Sequence, residues 1–380
     1  MTETTGVVVV GAGPAGLAVA ACLRKAGLDF IILEREQQVG SSWRRHYERL
    51  HLHTVKKYSS LPYLPLPKDY PRYVQRKLVV EYLDSYAKTF ALQPRFGETV
   101  RSIHRDGGEW LVESTSSSIR APYVVIASGY NAEPVKPSFP GIEKFKGKII
   151  HARDYANAKP FAGQSVLVIG MGNTGAEIAL DLAENGARPT ISVRGGVHIV
   201  PRELFGIPMQ RLSIVSRYLP GGGNSPLMLR LIDRALGDLT SHGIKRPPGP
   251  ITQMTNGRAR IPVIDVGTVK KIQENAIRIA PDITEVTADG AVFTDGRKIA
   301  FDAIIFATGY RANYPDFLQA DGAALVPGDE PISEASRRSG IYFTGLRNST
   351  TGLLREISRE ALLITDDIAR QRQQPAARAS

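Results

Sequence analysis

Thiol chemistry has almost nothing to work with in this chain: its 380 residues include a single cysteine, Cys22, and no CxxC. An intramolecular disulfide, disulfide exchange and a thiolate zinc site are therefore excluded, and a reducing, cytoplasmic setting is expected. No apolar run reaches the roughly 18 residues of a membrane span. The apolar stretch from Val7 to Leu23 lacks a basic leader and is broken by glycines, so it is not read as a secretion signal. Low-complexity tracts are also missing, and 42% hydrophobic with 22% charged residues is ordinary globular usage that sets disorder aside. Lysine and arginine (48) outnumber aspartate and glutamate (37), giving +11, yet basic residues cluster only as pairs such as Lys56-Lys57 and Arg337-Arg338. With no nucleic-acid motif beside them, the expected partners are anionic small molecules, with neither nucleic acid nor membrane.

What the chain does have is glycine, 36 residues of it, concentrated where strands give way to helices. Residues 6–10 (GVVVV) read as a buried parallel strand, GAGPAG (11–16) as a tight turn, and Pro14 to Lys25 as a helix leading to a strand from Phe30 to Leu33. Gly11 permits the turn, Gly13 lets the backbone approach a pyrophosphate, and Gly16 lets helix and strand pack closely. Pro14 and Ala15 complete the anion-binding helix start. Glu34, at the end of the second strand, can accept hydrogen bonds from adenosine ribose hydroxyls. By itself it would be no more than a solvated charge.

The arrangement recurs. SVLVI (165–169), GMGNTG (170–175), a helix from Thr174 to Asn185 and a strand from Thr190 to Val193 form a second unit, with Gly170, Gly172 and Gly175 in the same roles and Asn173 and Thr174 opening the helix. Here the second strand runs into Arg194, and a cation at that place suits a 2′-phosphate, pointing to NADPH over NADH. The plainer alternative is a surface arginine. Two dinucleotide sites of different preference imply a hydride relay, with FAD in the first site and NADPH in the second. Because such cofactors carry the chemistry, no metal cluster or Ser-His-Asp set is expected. The fold class is α/β, with two Rossmann-like dinucleotide-binding domains. Because Ala303 to Ala307 resembles Val124 to Ala127, the chain is expected to return there to the first domain. That gives a discontinuous FAD domain, 1–157 and 300–380, around an NADPH domain, 158–299. GGGN (221–224) and PPGP (247–250) read as loops, and an amphipathic helix with Leu353, Leu354, Ile357, Ala361, Leu362, Ile364 and Ile368 closes the chain before a polar tail.

FKGKIIHARDY (145–155) matches the FxGxxxHxxxY pattern of flavin-containing monooxygenases through Phe145, Gly147, His151 and Tyr155, and FATGY (306–310) resembles that family's second marker. His151 and Tyr155 are expected to orient the junction between domains. More narrowly, YERLHLHTVKKYSSLP (47–62), NAEPV (131–135), GNTGAEIALDL (172–182), VHIVPRE (197–203), LGDLTSHGIKRPPGP (236–250), IPVIDVGT (261–268) and FDAIIFATGYRAN (301–313) are similar to the plant YUCCA flavin monooxygenases. The resemblance implies an NADPH-dependent FAD monooxygenase that activates O₂ as a C4a-(hydro)peroxyflavin and converts indole-3-pyruvate, an aromatic 2-oxo acid, to indole-3-acetate. It also implies cofactor contacts from Arg35, Gly40, Trp43, Ser128, Gly129, Gly309 and Tyr310. Where many family members place an asparagine beside the flavin, this chain has His53, the candidate catalytic residue. Lys56 or Lys57 is a candidate for the substrate carboxylate, a solvated surface role being the simpler reading of each. The alternatives are Baeyer-Villiger, S- or N-oxygenation of another small substrate, or an NADPH-flavin reductase that releases peroxide.

Overall fold

The computed structural model describes residues 2–216, 225–251, 253–255, 258–319, 332–347, 349 and 351–373. The valine run forms β1 (Val7–Val10), followed by α1 (Pro14–Lys25) and β2 (Phe30–Glu34). Pro14 occupies the first helical turn, where its missing N–H costs nothing, and Arg24 and Lys25 complement the dipole at the other end. Next come α2 (Ser41–Arg45), α3 (Arg76–Thr89), β3 (Arg95–Phe96) and β4 (Tyr123–Ile126). The second unit contributes β5 (Lys148–His151), β6 (Ser165–Ile169), α4 (Asn173–Glu184), β7 (Arg188–Ser192), α5 (Met209–Ser216), β8 (Arg278–Ala280) and β9 (Ala303–Phe306). The chain closes with β10 (Ile341–Phe343) and α6 (Leu353–Gln373).

Both main sheets are parallel, in the order β10-β4-β1-β2-β3 and β5-β9-β6-β7-β8. Side chains alternate across a strand, so β1 supplies two cores at once. Val7 and Val9 pack with Leu17 and Ala21 of α1 and with Ile357, Ala361 and Ile364 of α6. Val8 and Val10 face Trp110, Val112 and Ile119 of an antiparallel layer on the other side. A strand covered on both faces has no place for a polar residue, which is why this segment reads as an unbroken valine run. In β6 the division repeats, Val166 and Val168 packing toward α4 while Leu167 and Ile169 meet Phe293, Phe301 and Phe306.

The domain boundaries differ from those expected. Strand β9 does not rejoin the first sheet; it lies between β5 and β6 in the second, and β5 belongs there too. Division at 157/158 and 299/300 would thus cut two strands away from their sheet. The likeness of Ala303–Ala307 to Val124–Ala127 has a different cause: β4 lies beside β1 just as β9 lies beside β6, so the two segments hold equivalent positions in repeated units. The return comes later, where Ala312, Tyr314 and Phe317 enter the core under the first sheet and β10 pairs with β4. The outward and return crossings run side by side, Glu133–Pro134 pairing antiparallel with Tyr310–Arg311. In α6, Leu354, Ile357, Ala361, Ile364 and Ile368 are buried as expected, whereas Leu353 and Leu362 are exposed. PPGP at 247–250 lies in a loop. GGGN at 221–224 and the polar tail from 374 lie outside the described residues.

Candidate active site

The first glycine turn is fixed by neighbours that leave no room for side chains. Gly11 has φ +108°, its N–H donates to the Leu33 carbonyl at 2.7 Å, and a Cβ there would sit 2.6 Å from the Ala127 carbonyl oxygen. A Cβ on Gly16 would overlap the Gly11 carbonyl, so this residue sets the helix-to-strand distance. Gly13 differs: a Cβ there would meet nothing within 4 Å. Open space thus lies in front of the N-terminus of α1, where the first-turn N–H groups lack helical partners and the dipole favours an anion. Pro14 and Ala15, buried, form that first turn. The second turn has the same geometry, with Gly170 at φ +104° against the Ala307 carbonyl, Gly175 against Gly170, and open space at Gly172. Two cradles that only an added Cβ would fill fit two pyrophosphates.

Around the first cradle, Glu34 is buried, its carboxylate accepting the N–H groups of Ala12 at 2.6 Å and Glu36 at 3.0 Å. A carboxylate has about four acceptor sites, so ribose hydroxyls can still be taken up while the turn is held. Gly40, at φ +64°, donates its N–H to the Ala12 carbonyl at 3.0 Å and begins α2. Arg35 lies 3.4 Å from Glu133, and Trp43 packs partly buried on the first core. Ser128 and Gly129 follow β4, Ser128 beside Gly11, and the Ser128 hydroxyl is buried without a protein hydrogen bond, so it can take one from a ligand. At the second cradle, Asn173 is tied down by accepting the Ile264 N–H at 2.7 Å. Thr174 is partly buried in the first turn of α4, and Arg194 is exposed at the end of β7 without an ion-pair partner among the described residues. Gly309 (φ +84°) and Tyr310 lie on the return crossing, the Tyr310 ring edge-on to His151 at 5.0 Å.

The two units meet through the segment from His46 to His53. His53 Nε2 lies 2.6 Å from Glu177 Oε1, and the Tyr47 side chain lies beside the same carboxylate. Burial, with Glu177 beside it, raises the Tyr47 pKa well above its usual value. Burial holds His46 at about 4, assisted by Arg76 and Arg45 and opposed by Glu177. Arg49 pairs with Glu184, and the Tyr155 hydroxyl donates to Asp181 at 2.6 Å. Of the FxGxxxHxxxY residues, Phe145 is core, Gly147 lies against Asp302, His151 is fully buried with Nδ1 accepting the Arg153 N–H, and Tyr155 packs on Phe161. Phe145, His151 and Tyr155 are thus packed in the interior. Lys56 donates to the Lys68 and Tyr70 carbonyls and Lys57 lies over the Tyr58 ring, so both side chains are occupied locally.

Comparison with known proteins gives this geometry a family. The family model described as flavin-binding monooxygenase-like matches residues 4–324. The chain belongs to the flavin-binding monooxygenase-like family. Among its relatives, the rice (Oryza sativa subsp. japonica) indole-3-pyruvate monooxygenase YUCCA1 is 40% identical, covering 97% of this chain and 92% of the rice protein. The Arabidopsis thaliana probable indole-3-pyruvate monooxygenase YUCCA4 is 37% identical over 96% and 90% of the two chains. The fold is that of a cyclohexanone monooxygenase from Rhodococcus sp. Phi1 bound to NADP⁺, with a TM-score of 0.74 at 20% identity, covering 98% and 85% of the chains. A flavin-containing monooxygenase from Stenotrophomonas maltophilia has a TM-score of 0.71 at 22% identity, covering 97% and 99%.

Several residues of this flavin-binding monooxygenase-like chain escape sequence reasoning. Glu177 is one; the only signal for it is a carboxylate four residues before Asp181 in a helix otherwise buried all round. Gln210, from α5, joins three segments, its Oε1 accepting the Val55 N–H at 2.8 Å and its Nε2 donating to the Thr351 carbonyl at 2.5 Å. Buried Glu360 gathers Gly345 N–H, the Thr344 hydroxyl and Arg347. That cluster abuts the first cradle, because a Cβ on Gly345 would come 2.8 Å from the Ala15 Cβ. A cavity of about 480 Å³ lined by Val197, Ile199, Leu236 and Arg246 contains none of the candidate catalytic or cofactor-binding residues. Among the described residues, no helix is long and apolar enough to cross a membrane.

Proposed function

We propose that this chain is an NADPH-dependent FAD monooxygenase that converts indole-3-pyruvate and O₂ to indole-3-acetate, CO₂ and water. One observation carries the substrate: relatives that share 37–40% of its residues over nearly its whole length bear the name indole-3-pyruvate monooxygenase. FAD belongs at the first cradle, with its pyrophosphate at the start of α1 and a ribose on Glu34. NADPH belongs at the second, its pyrophosphate before α4 and its 2′-phosphate within reach of Arg194. The domain division that goes with this reading leaves β5 and β9 in the NADPH unit and places the crossings near residues 133 and 310.

When bound, NADPH supplies a hydride and FAD passes electrons to oxygen. The chain's own work is to bind, orient and exclude water. Gly13 and Gly172 admit the phosphates, Glu34 fixes the first turn, and the contact of the 46–53 segment with α4 joins the two units. A closed cleft limits the loss of activated oxygen as peroxide. His53, at that contact, would hold a proton at the reacting oxygen. The reading is tested with ¹⁸O₂: one labelled oxygen is expected in the carboxylate of the indole-3-acetate formed. Unlabelled product, or none, overturns it.

A further inference from the structure

Glu177 has no part in binding either nucleotide as described above, yet it is 3% exposed, and a carboxylate taken from water costs several kcal/mol unless paired. Helix α4 does not supply the described side-chain partners. They come from one short segment of the other unit: His53 Nε2 at 2.6 Å, with the Tyr47 side chain beside the carboxylate and His46 in electrostatic reach. Asp181 and Glu184, four and seven residues on, extend the same side of α4, and Glu184 is held by Arg49 of that segment while Asp181 takes the Tyr155 hydroxyl. The Glu48 N–H donates to the Ala156 carbonyl at 2.8 Å and fixes the segment again. Helix α4, which carries the carboxylate, is thus held to the rest of the protein at several points, whereas the imidazole is anchored by one nitrogen.

We infer that Glu177 is the positioning residue for His53. An ionised carboxylate only accepts, so His53 donates through Nε2–H, which fixes the ring plane and leaves Nδ1 as the proton-accepting nitrogen of the neutral ring. His53 Nδ1 has no hydrogen-bond partner among the described residues, so it is the ring atom open to a reactant. A proton taken up at Nδ1 finds its counter-charge already in place on Glu177. Because Glu177 rides on the helix whose first turn faces the second cradle, the ring is held in register with that site. The catalytic use of the ring rests on the proposed function; the tautomer does not.

Two measurements test this separately. In ¹⁵N-histidine spectra of the FAD-loaded protein, the signal that disappears in His53→Asn should show the neutral ring protonated at Nε2. Glu177→Ala should convert it to a tautomer mixture; a ring protonated at Nδ1 in the wild type, or one unmoved by the substitution, overturns the inference. Glu177→Leu, of similar size and with no acceptor for Nε2–H, serves in the same way if the alanine variant does not fold. In turnover, Glu177→Ala and His53→Ala should each lower kcat on the 2-oxo acid roughly 10²-fold, with stoichiometric flavin retained. The double variant should fall by the same factor, because one residue acts through the other. Multiplied losses in the double variant overturn the inference. If the wild type forms no acid at all, the proposed substrate fails while the tautomer result still decides the positioning role.

Discussion

Gly13 and Gly16 are three residues apart in one turn and answer to different constraints. A side chain at Gly16 collides with the Gly11 backbone, so Gly16→Val should fail to fold or lose much of its stability. At Gly13 a Cβ meets no protein atom. Gly13→Val should therefore yield folded protein without flavin, checked by circular dichroism and the flavin-to-protein absorbance ratio; stoichiometric flavin would contradict the first cradle. Arg194 is exposed, and Arg194→Ala should leave the melting temperature unchanged while raising KM for NADPH about ten-fold or more and sparing NADH. Equal effects on the two nucleotides would remove the 2′-phosphate contact. These residues are legible in the sequence because each glycine has a fixed offset from a strand end. The pairing of His53 with Glu177 is not, because 124 residues separate them and no local spacing records the contact.

Elements read well where periodicity is strong and poorly where two of them look alike. The 3.6-residue pattern of α6 identifies its buried face, and Ile364, fully buried against α1 and β1, is a test of that packing. Ile364→Ala should cost about 2–5 kcal/mol, with a clear drop in melting temperature. A loss below about 1 kcal/mol would mean that α6 does not cover the first sheet as described. Strand β9 shows the opposite case. Its apolar run and the glycine two residues after it match those of β4, and in a chain built from two similar units such a match identifies an equivalent position without saying which unit holds it. Only the ladder, Val166 beside Ala303 through Ile169 beside Phe306, decides the sheet.

At the scale of the whole molecule, the contact between units carries a pH signature. Burial keeps His46 at about 4, below its ordinary 6.5, so the unfolded chain binds that proton more readily than the folded one. Stability from this group is full above pH 6.5 and falls as pH drops toward 4. His151, also lowered by burial, adds in the same direction. The melting temperature should fall between pH 7 and pH 5, and His46→Gln should flatten the fall; an unchanged slope would exclude the ring as its source. The two-unit α/β plan was visible in the paired glycine turns, whereas the closure between the units was not, since it depends on a loop of one meeting a helix of the other. The proposed function has the electrons of NADPH ending in an oxygenated acid, with the contact between the units limiting their loss as peroxide. Its most direct test uses FAD-loaded protein with NADPH, O₂ and indole-3-pyruvate, measuring indole-3-acetate and hydrogen peroxide against NADPH consumed. Close to one indole-3-acetate per NADPH is expected, with little peroxide; NADPH consumption that yields mostly peroxide and no acid would rule the oxygenase reading out.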